Sequence, residues 1–256
     1  MREKVIWQPS PNFDDRGEGV PTDMLVLHYT GMETGTAALA RLTEEVSQVS
    51  AHYFVEEDGT IFQLVKENKR AWHAGVSAWR GETNINARSI GVEIVNPGHE
   101  FGYRTFSDNQ MASVSELSKD IVQRHGILPT HVVGHSDIAP ARKQDPGELF
   151  AWDKLAAIGI GLWFPQGWTA DLTLLSLSVG DDGRPVRRLR GLLRGIGYTV
   201  ADIDMFDEEL VAVLKAFQRH WRPDLIDGVA DSVTQSAAEE IFNQSVRLTP
   251  SKTQLT

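Results

Sequence analysis

Four ionisable side chains interrupt stretches that are otherwise apolar or turn-forming: His28, Glu93, His135 and Asp145. His28 ends the apolar run that starts at Met24, and Glu93 sits inside Ile-Gly-Val-Glu-Ile-Val (90–95). His135 and Asp145 bracket a loop that also carries Arg142 and Lys143. Taken singly, a strand-end histidine is an ordinary packing residue, and an aspartate before Pro-Gly is a turn former. Glu93 is harder to dismiss, because a carboxylate in so apolar a strand needs a partner or a role. Two imidazoles and one carboxylate make a three-ligand catalytic zinc set, with the fourth position open to water. Zinc lowers the pKa of that water to about 7 and polarises the carbonyl under attack. A nearby glutamate can take the water's proton and hand it to a leaving amine. A lysine facing the site can hold the developing oxyanion. No His-Glu-x-x-His signature is present, so spacing alone leaves the assignment open.

The elements that must position these groups follow from periodicity. Residues 1–23, rich in Pro, Asp and Gly, read as irregular. Residues 24–31 read as a buried strand ended by Gly31, and residues 37–46 have helical spacing. Residues 52–65 form two strands turned at Asp58-Gly59, a hairpin signal. A polar loop is expected over 68–87, then a buried strand over 89–96 closed by Pro97-Gly98. Ser107 and Gln110 resemble a capping box opening a helix that runs to His125-Gly126. A strand edge at 131–135 enters the loop to Gly147, and a helix follows over 152–158. Strands alternating with helices imply an α/β fold with a mixed central sheet flanked by helices.

The patterning lapses between 163 and 177. Three helical stretches follow, over 185–193, 207–220 and 232–242, as expected of a small three-helix C-terminal domain. The domain reading is residues 1–168, a linker at 169–178, the helical domain at 179–246 and a polar tail at 247–256.

Bulk composition sets outer limits. The 256 residues are 41% hydrophobic and 23% charged, an ordinary globular balance able to bury a core without staples. A net charge of −10 argues against nucleic acid as a partner. Zero cysteines removes disulfides, thiolate catalysis and cysteine-based metal sites. No run has signal-peptide or membrane-spanning character, so no transmembrane segment and a cytoplasmic location are expected. A periplasmic or envelope location is the alternative if an export signal has been removed.

Four motifs carry a family resemblance. His-Ser-Asp-Ile-Ala-Pro-x-Arg-Lys-x-Asp-Pro-Gly (135–147), Ser-Ile-Gly-Val-Glu-Ile-Val-Asn (89–96), Trp-His-Ala-Gly (72–75) and Leu-His-Tyr-Thr (27–30) closely resemble the type-2 N-acetylmuramoyl-L-alanine amidases. That group includes the AmpD and AmiD enzymes and is similar in fold to phage T7 lysozyme and the peptidoglycan recognition proteins. The match spans roughly residues 5–165, and its 135–147 segment is very specific. The resemblance implies zinc held by His28, His135 and Asp145, Glu93 as general base and Lys143 stabilising the transition state. It places Arg142 on the substrate and His52 near the active site. Trp72 and His73 are expected to shape the groove, with a purely structural role for both as the alternative. His99, His125, His131 and His220 match no functional position and read as surface or packing histidines.

The C-terminal region resembles the three-helix peptidoglycan-binding domain through Ala-Phe-Gln-Arg-His-Trp-Arg-Pro (216–223) and Asp-Gly-Val-Ala-Asp-Ser-Val-Thr (227–234). Those residues mostly set helix packing and turns. The implied substrates are peptidoglycan or muropeptide fragments, cut between the muramic (or anhydro-muramic) lactyl group and L-alanine. Competing readings are a non-catalytic recognition protein on the same fold and a zinc peptidase acting on stem peptides.

Overall fold

A computed structural model describes residues 5–248. Its first strands, β1 (Val5–Trp7) and β2 (Phe13–Asp15), lie in the segment expected to be irregular. Next come β3 (Met24–Tyr29), α1 (Gly35–Thr43), β4 (Tyr53–Val55) and β5 (Ile61–Gln63). The 68–87 segment, expected to be loop throughout, holds β6 (Lys69–Ala71) and the start of α2 (Ile85–Arg88). Then follow β7 (Ser89–Ile94), α3 (Gly98–Phe101), α4 (Asp108–His125), β8 (Val132–Gly134), α5 (His135–Ile138) and α6 (Trp152–Ala157). The chain closes with α7 (Arg184–Ile196), α8 (Glu208–Trp221) and α9 (Ser232–Leu248). The expected tail begins two residues inside α9, and its remainder, 249–256, lies outside the described residues.

Periodicity missed β1, β2 and β6 for a physical reason. The β2–β6 ribbon is antiparallel and polar, tied by Arg70 to Asp14 and Lys69 to Asp15, so it shows no apolar alternation. β1 is three residues long and joins the sheet edge parallel to β5.

The main sheet runs β1-β5-β4-β7-β3-β8. Only the β4–β5 hairpin is antiparallel, so the sheet is mixed as expected. Both faces of β3 are covered, which is why it reads as an unbroken apolar run. Leu25 and Leu27 point into a core with Met111, Val114, Leu117 and Ile121 of α4. Met24 and Val26 join the opposite core, shared with Leu189, Leu193, Leu214, Phe217 and Ile241 of the last three helices. The C-terminal helices therefore build one side of the sheet's core instead of hanging from it.

Ser107 caps α4 where the sequence places it, its Oγ accepting from Gln110 N at 3.1 Å, but the Gln110 side chain donates to Val55 O and Val95 O, so the expected capping box is not closed. Gly126 ends α4 at φ 63°, a left-handed stop suited to glycine. Asp207 caps α8 in the same way, accepting from Leu210 N at 2.9 Å.

Candidate active site

Strand register brings the ionisable groups together. β3 and β7 pair in parallel with His28 opposite Glu93, and β3 pairs with β8 so that Leu27 lies opposite Gly134. His28, Glu93 and His135 thus emerge at the carboxyl ends of neighbouring parallel strands, the usual place for a site in such a sheet. Asp145 returns through the 139–145 loop, which is tied by Ser136 N donating to Asp145 O at 2.9 Å.

Three atoms converge. His28 Nδ1 lies 3.0 Å from His135 Nδ1, and Asp145 Oδ2 lies 2.9 Å and 3.1 Å from them. All three side chains are buried.

The proton positions follow from the outer partners. His135 Nε2 faces Ala74 O at 3.1 Å, and a carbonyl can only accept, so the His135 proton sits on Nε2. Ser89 Oγ donates to Ile85 O at 2.7 Å, so it accepts from His73 Nε2 at 3.1 Å. His73 Nδ1 is then an acceptor, and His28 Nε2 donates to it at 3.0 Å. Both ligand Nδ1 atoms are left as bare lone pairs aimed at a carboxylate. A cation satisfies all three at once, so the donor set fits a metal.

The electrostatics agree. Burial above all pushes His28 down to about 4, against the pull of Asp145, so its imidazole is neutral at pH 7.

Glu93 stands at the edge of this group. Its Oε2 is shielded from solvent and has no hydrogen-bond partner. Burial, reinforced by Asp145 and opposed by Lys143, holds its pKa well above the usual carboxylate range. A carboxylate of raised basicity facing a cleft has the chemistry of a proton acceptor.

β7 supplies three services from alternate positions on one face. Ser89 holds His73, and Glu93 faces the cleft. Gly91 makes room, since a Cβ there would lie 2.5 Å from the His73 ring.

The cleft has a volume of about 360 Å³, and its walls include Glu93, His135, Asp145, Lys143, Arg142 and Trp72. Arg142 Nη2 donates to Ala74 O at 3.0 Å and Val76 O at 2.6 Å, which ties the 139–145 loop to the segment after β6 that carries His73. His73 touches the cleft but is mostly buried behind His28. His52 does not line it. The His52 ring is fully buried, with Nδ1 accepting from Gly91 N at 3.0 Å and Nε2 facing Lys69 O at 3.0 Å. Burial, then the Arg16 charge, pushes His52 down to about 3.

Sequence reasoning overlooked other cleft residues. His99, read as a surface or packing residue, lines the wall, bonded to Tyr29 Oη at 2.9 Å and stacked on Tyr103 at 4.4 Å. Arg41 and Glu100 line it too. No local pattern marks any of these residues, because only the folded chain brings 29, 41 and 99 to one rim.

The fold sets two histidines and two carboxylates together at the carboxyl end of a mixed sheet. Residues 18–148 match the N-acetylmuramoyl-L-alanine amidase family, and the chain belongs to that family. Residues 182–237 match a putative peptidoglycan binding domain. The N-acetylmuramoyl-L-alanine amidase AmiD of Escherichia coli K12 is 41% identical over 233 residues, covering 86% of this chain and 82% of AmiD. The 1,6-anhydro-N-acetylmuramyl-L-alanine amidase AmpD of Haemophilus influenzae is 34% identical over 163 residues, covering 57% of this chain and 86% of AmpD.

Solved structures agree. E. coli AmiD in complex with the substrate anhydro-N-acetylmuramic acid-L-Ala-D-γ-Glu-L-Lys superposes with a TM-score of 0.74 at 38% identity, covering 89% of this chain and 92% of that one. AmpDh3 of Pseudomonas aeruginosa gives 0.73 at 30% identity, covering 93% and 95%. The chain is an N-acetylmuramoyl-L-alanine amidase, which displaces the recognition-protein and peptidase readings. Among the described residues no helix is long and apolar enough to cross a membrane.

Proposed function

We propose that the chain is a zinc amidase that releases the stem peptide from muropeptides, anhydro-muropeptides included, with His28, His135 and Asp145 holding the metal. The observation that carries this reading is the meeting of two bare imidazole nitrogens and one carboxylate oxygen beside an unpartnered Glu93. Zinc, when bound, supplies a Lewis acid for the lactyl carbonyl and lowers the pKa of water to about 7.

The chain's own groups do the rest. Glu93 accepts a proton from the attacking water as its oxygen bonds to the carbonyl carbon. Lys143, whose ammonium group has no hydrogen-bond or ion-pair partner among the described residues, stabilises the negative charge that forms on the carbonyl oxygen. Glu93 then gives its proton to the alanine nitrogen as the carbon–nitrogen bond breaks. The products are the muramic lactyl carboxylate and a free peptide amine. Trp72 and Arg142 bound the substrate on the rim, while His73 and Ser89 keep the proton of His28 away from the metal.

The catalytic unit is read as residues 1–168 and the helical unit as 179–246, with 169–178 between them. The two family matches fall inside these limits. Because the units share a core, the helical unit is a fixed wall of the enzyme and not a tethered anchor.

Mass analysis of anhydro-muropeptide, ordinary muropeptide and whole sacculus after digestion tests the reading. Intact stem peptides are expected, and chelation is expected to abolish them. Undiminished release from metal-free protein would overturn the zinc mechanism.

A further inference from the structure

The active-site cleft does not stop at the 142–144 loop. Arg142, Lys143 and Gln144 form one of its walls and also one wall of a second groove of about 340 Å³. The far wall of that groove is α8 of the helical unit, through Val211, Lys215 and Arg219. A substrate seated at Glu93 can therefore continue across the loop and onto the C-terminal helices.

The groove is cationic in a chain of net charge −10. Arg142, Lys143, Lys215 and Arg219 face it, against the single carboxylate of Glu208. The ammonium groups of Lys143 and Lys215 have no hydrogen-bond or ion-pair partner among the described residues. Arg219 is half-buried, its Nε has no partner, and its Nη2 reaches only Gln144 Oε1 at 3.3 Å. The acid whose charge acts on Arg219, Glu148, is already engaged with His99 at 3.1 Å. Cations left unsatisfied beside a substrate cleft are an anion site, because each gains a charge-assisted bond when an anion arrives.

We propose that this groove is a subsite for a carboxylate of the stem peptide, with Lys215 and Arg219 as its specificity-determining residues. The inference rests on the amidase reading above. A peptide such as L-Ala-D-γ-Glu-L-Lys offers two such groups. The γ-linkage leaves the α-carboxylate of the glutamate free, and the last residue ends in a second carboxylate. The helical unit then reads the peptide in the groove beside the cleft, a role distinct from holding the enzyme to a wall.

The test uses the full chain with zinc and three anhydromuramyl tripeptides: the free acid, the glutamate α-carboxamide and the C-terminal carboxamide. KM and kcat are measured for wild type, Lys215→Gln and Lys215→Glu, with melting temperature and zinc content as controls for folding. Wild type is expected to bind one amide less tightly than the acid, and which amide identifies the carboxylate read. Lys215→Gln is expected to raise KM for the acid about threefold to fivefold, the size of a solvated ion pair, and to leave kcat within about twofold. Lys215→Glu is expected to raise it further, and the preference for acid over amide should vanish in both. Equal KM shifts for acid and amides, or none, overturn the proposal. If wild type releases no peptide from any substrate, the amidase reading falls separately. Calorimetric titration of the same three compounds then decides the subsite by whether Lys215→Gln erases an acid-over-amide difference.

Discussion

His220 on α8 sets its Nδ1 2.7 Å from Asp137 Oδ2, two residues beyond the metal-ligand candidate His135. Asp137 is buried and also accepts from Tyr198 Oη at 2.5 Å and from Gly134 N at 2.8 Å. The His220 ring stacks on Trp152 at 3.8 Å and on Trp221 at 3.7 Å. Two polar atoms from the helical unit thus fasten the turn that presents His135. A histidine that reads as mere packing in the sequence is a joint between the two halves.

Tyr198→Phe deletes one of these bonds without opening a cavity. Leaving a buried carboxylate short of a donor costs about 1–3 kcal/mol. Chemical denaturation should show a loss of that size, together with weaker metal retention. A variant as stable as wild type would show that the bond does not hold the turn.

His73→Ala removes the acceptor that holds the His28 proton on Nε2. Loss of an outer-shell partner lowers metal affinity about 10–100-fold. Ser89→Ala, one step further out, should do the same to a smaller degree, measured by competition with a chromogenic chelator. Equal affinity in all three proteins would exclude the relay.

Glu93→Gln keeps the shape of the side chain and abolishes its basicity. Zinc content should match wild type, while kcat falls about 10²–10⁴-fold. Retained turnover would move the base elsewhere.

Glu67 makes part of the fold's stability sensitive to acid. Burial raises its pKa, but hydrogen bonds from Arg124, Tyr53 and His125 win and lower it from 4.5 to about 2. The folded value lies below the unfolded one, so the contribution is complete above pH 4.5 and is lost as pH falls through about 2. Solvent reaches part of this cluster, which limits the effect to about 1–2 kcal/mol. Glu67→Gln should lose that much at pH 7, and the gap to wild type should close between pH 5 and pH 2 in urea titrations. A gap independent of pH would rule out the linkage.

The chemistry was legible in the chain wherever it depended on residue type and local pattern. The four groups at 28, 93, 135 and 145, the loop that carries Lys143, the buried strands and the helix caps all follow from short stretches of sequence. Periodicity failed at β2 and β6 because a polar ribbon held by ion pairs has no apolar face to detect.

What only the tertiary structure decided is who stands behind whom. The pairing of β3 with β7 puts His28 opposite Glu93, and the room left by Gly91 lets His73 reach His28. Packing of α8 brings His220 to Asp137 and Lys215 to the groove beside the 142–144 loop. These contacts join residues separated by 45 to 83 positions. Their geometry is set by strand register and by a shared core, neither of which is written in any local stretch of the chain.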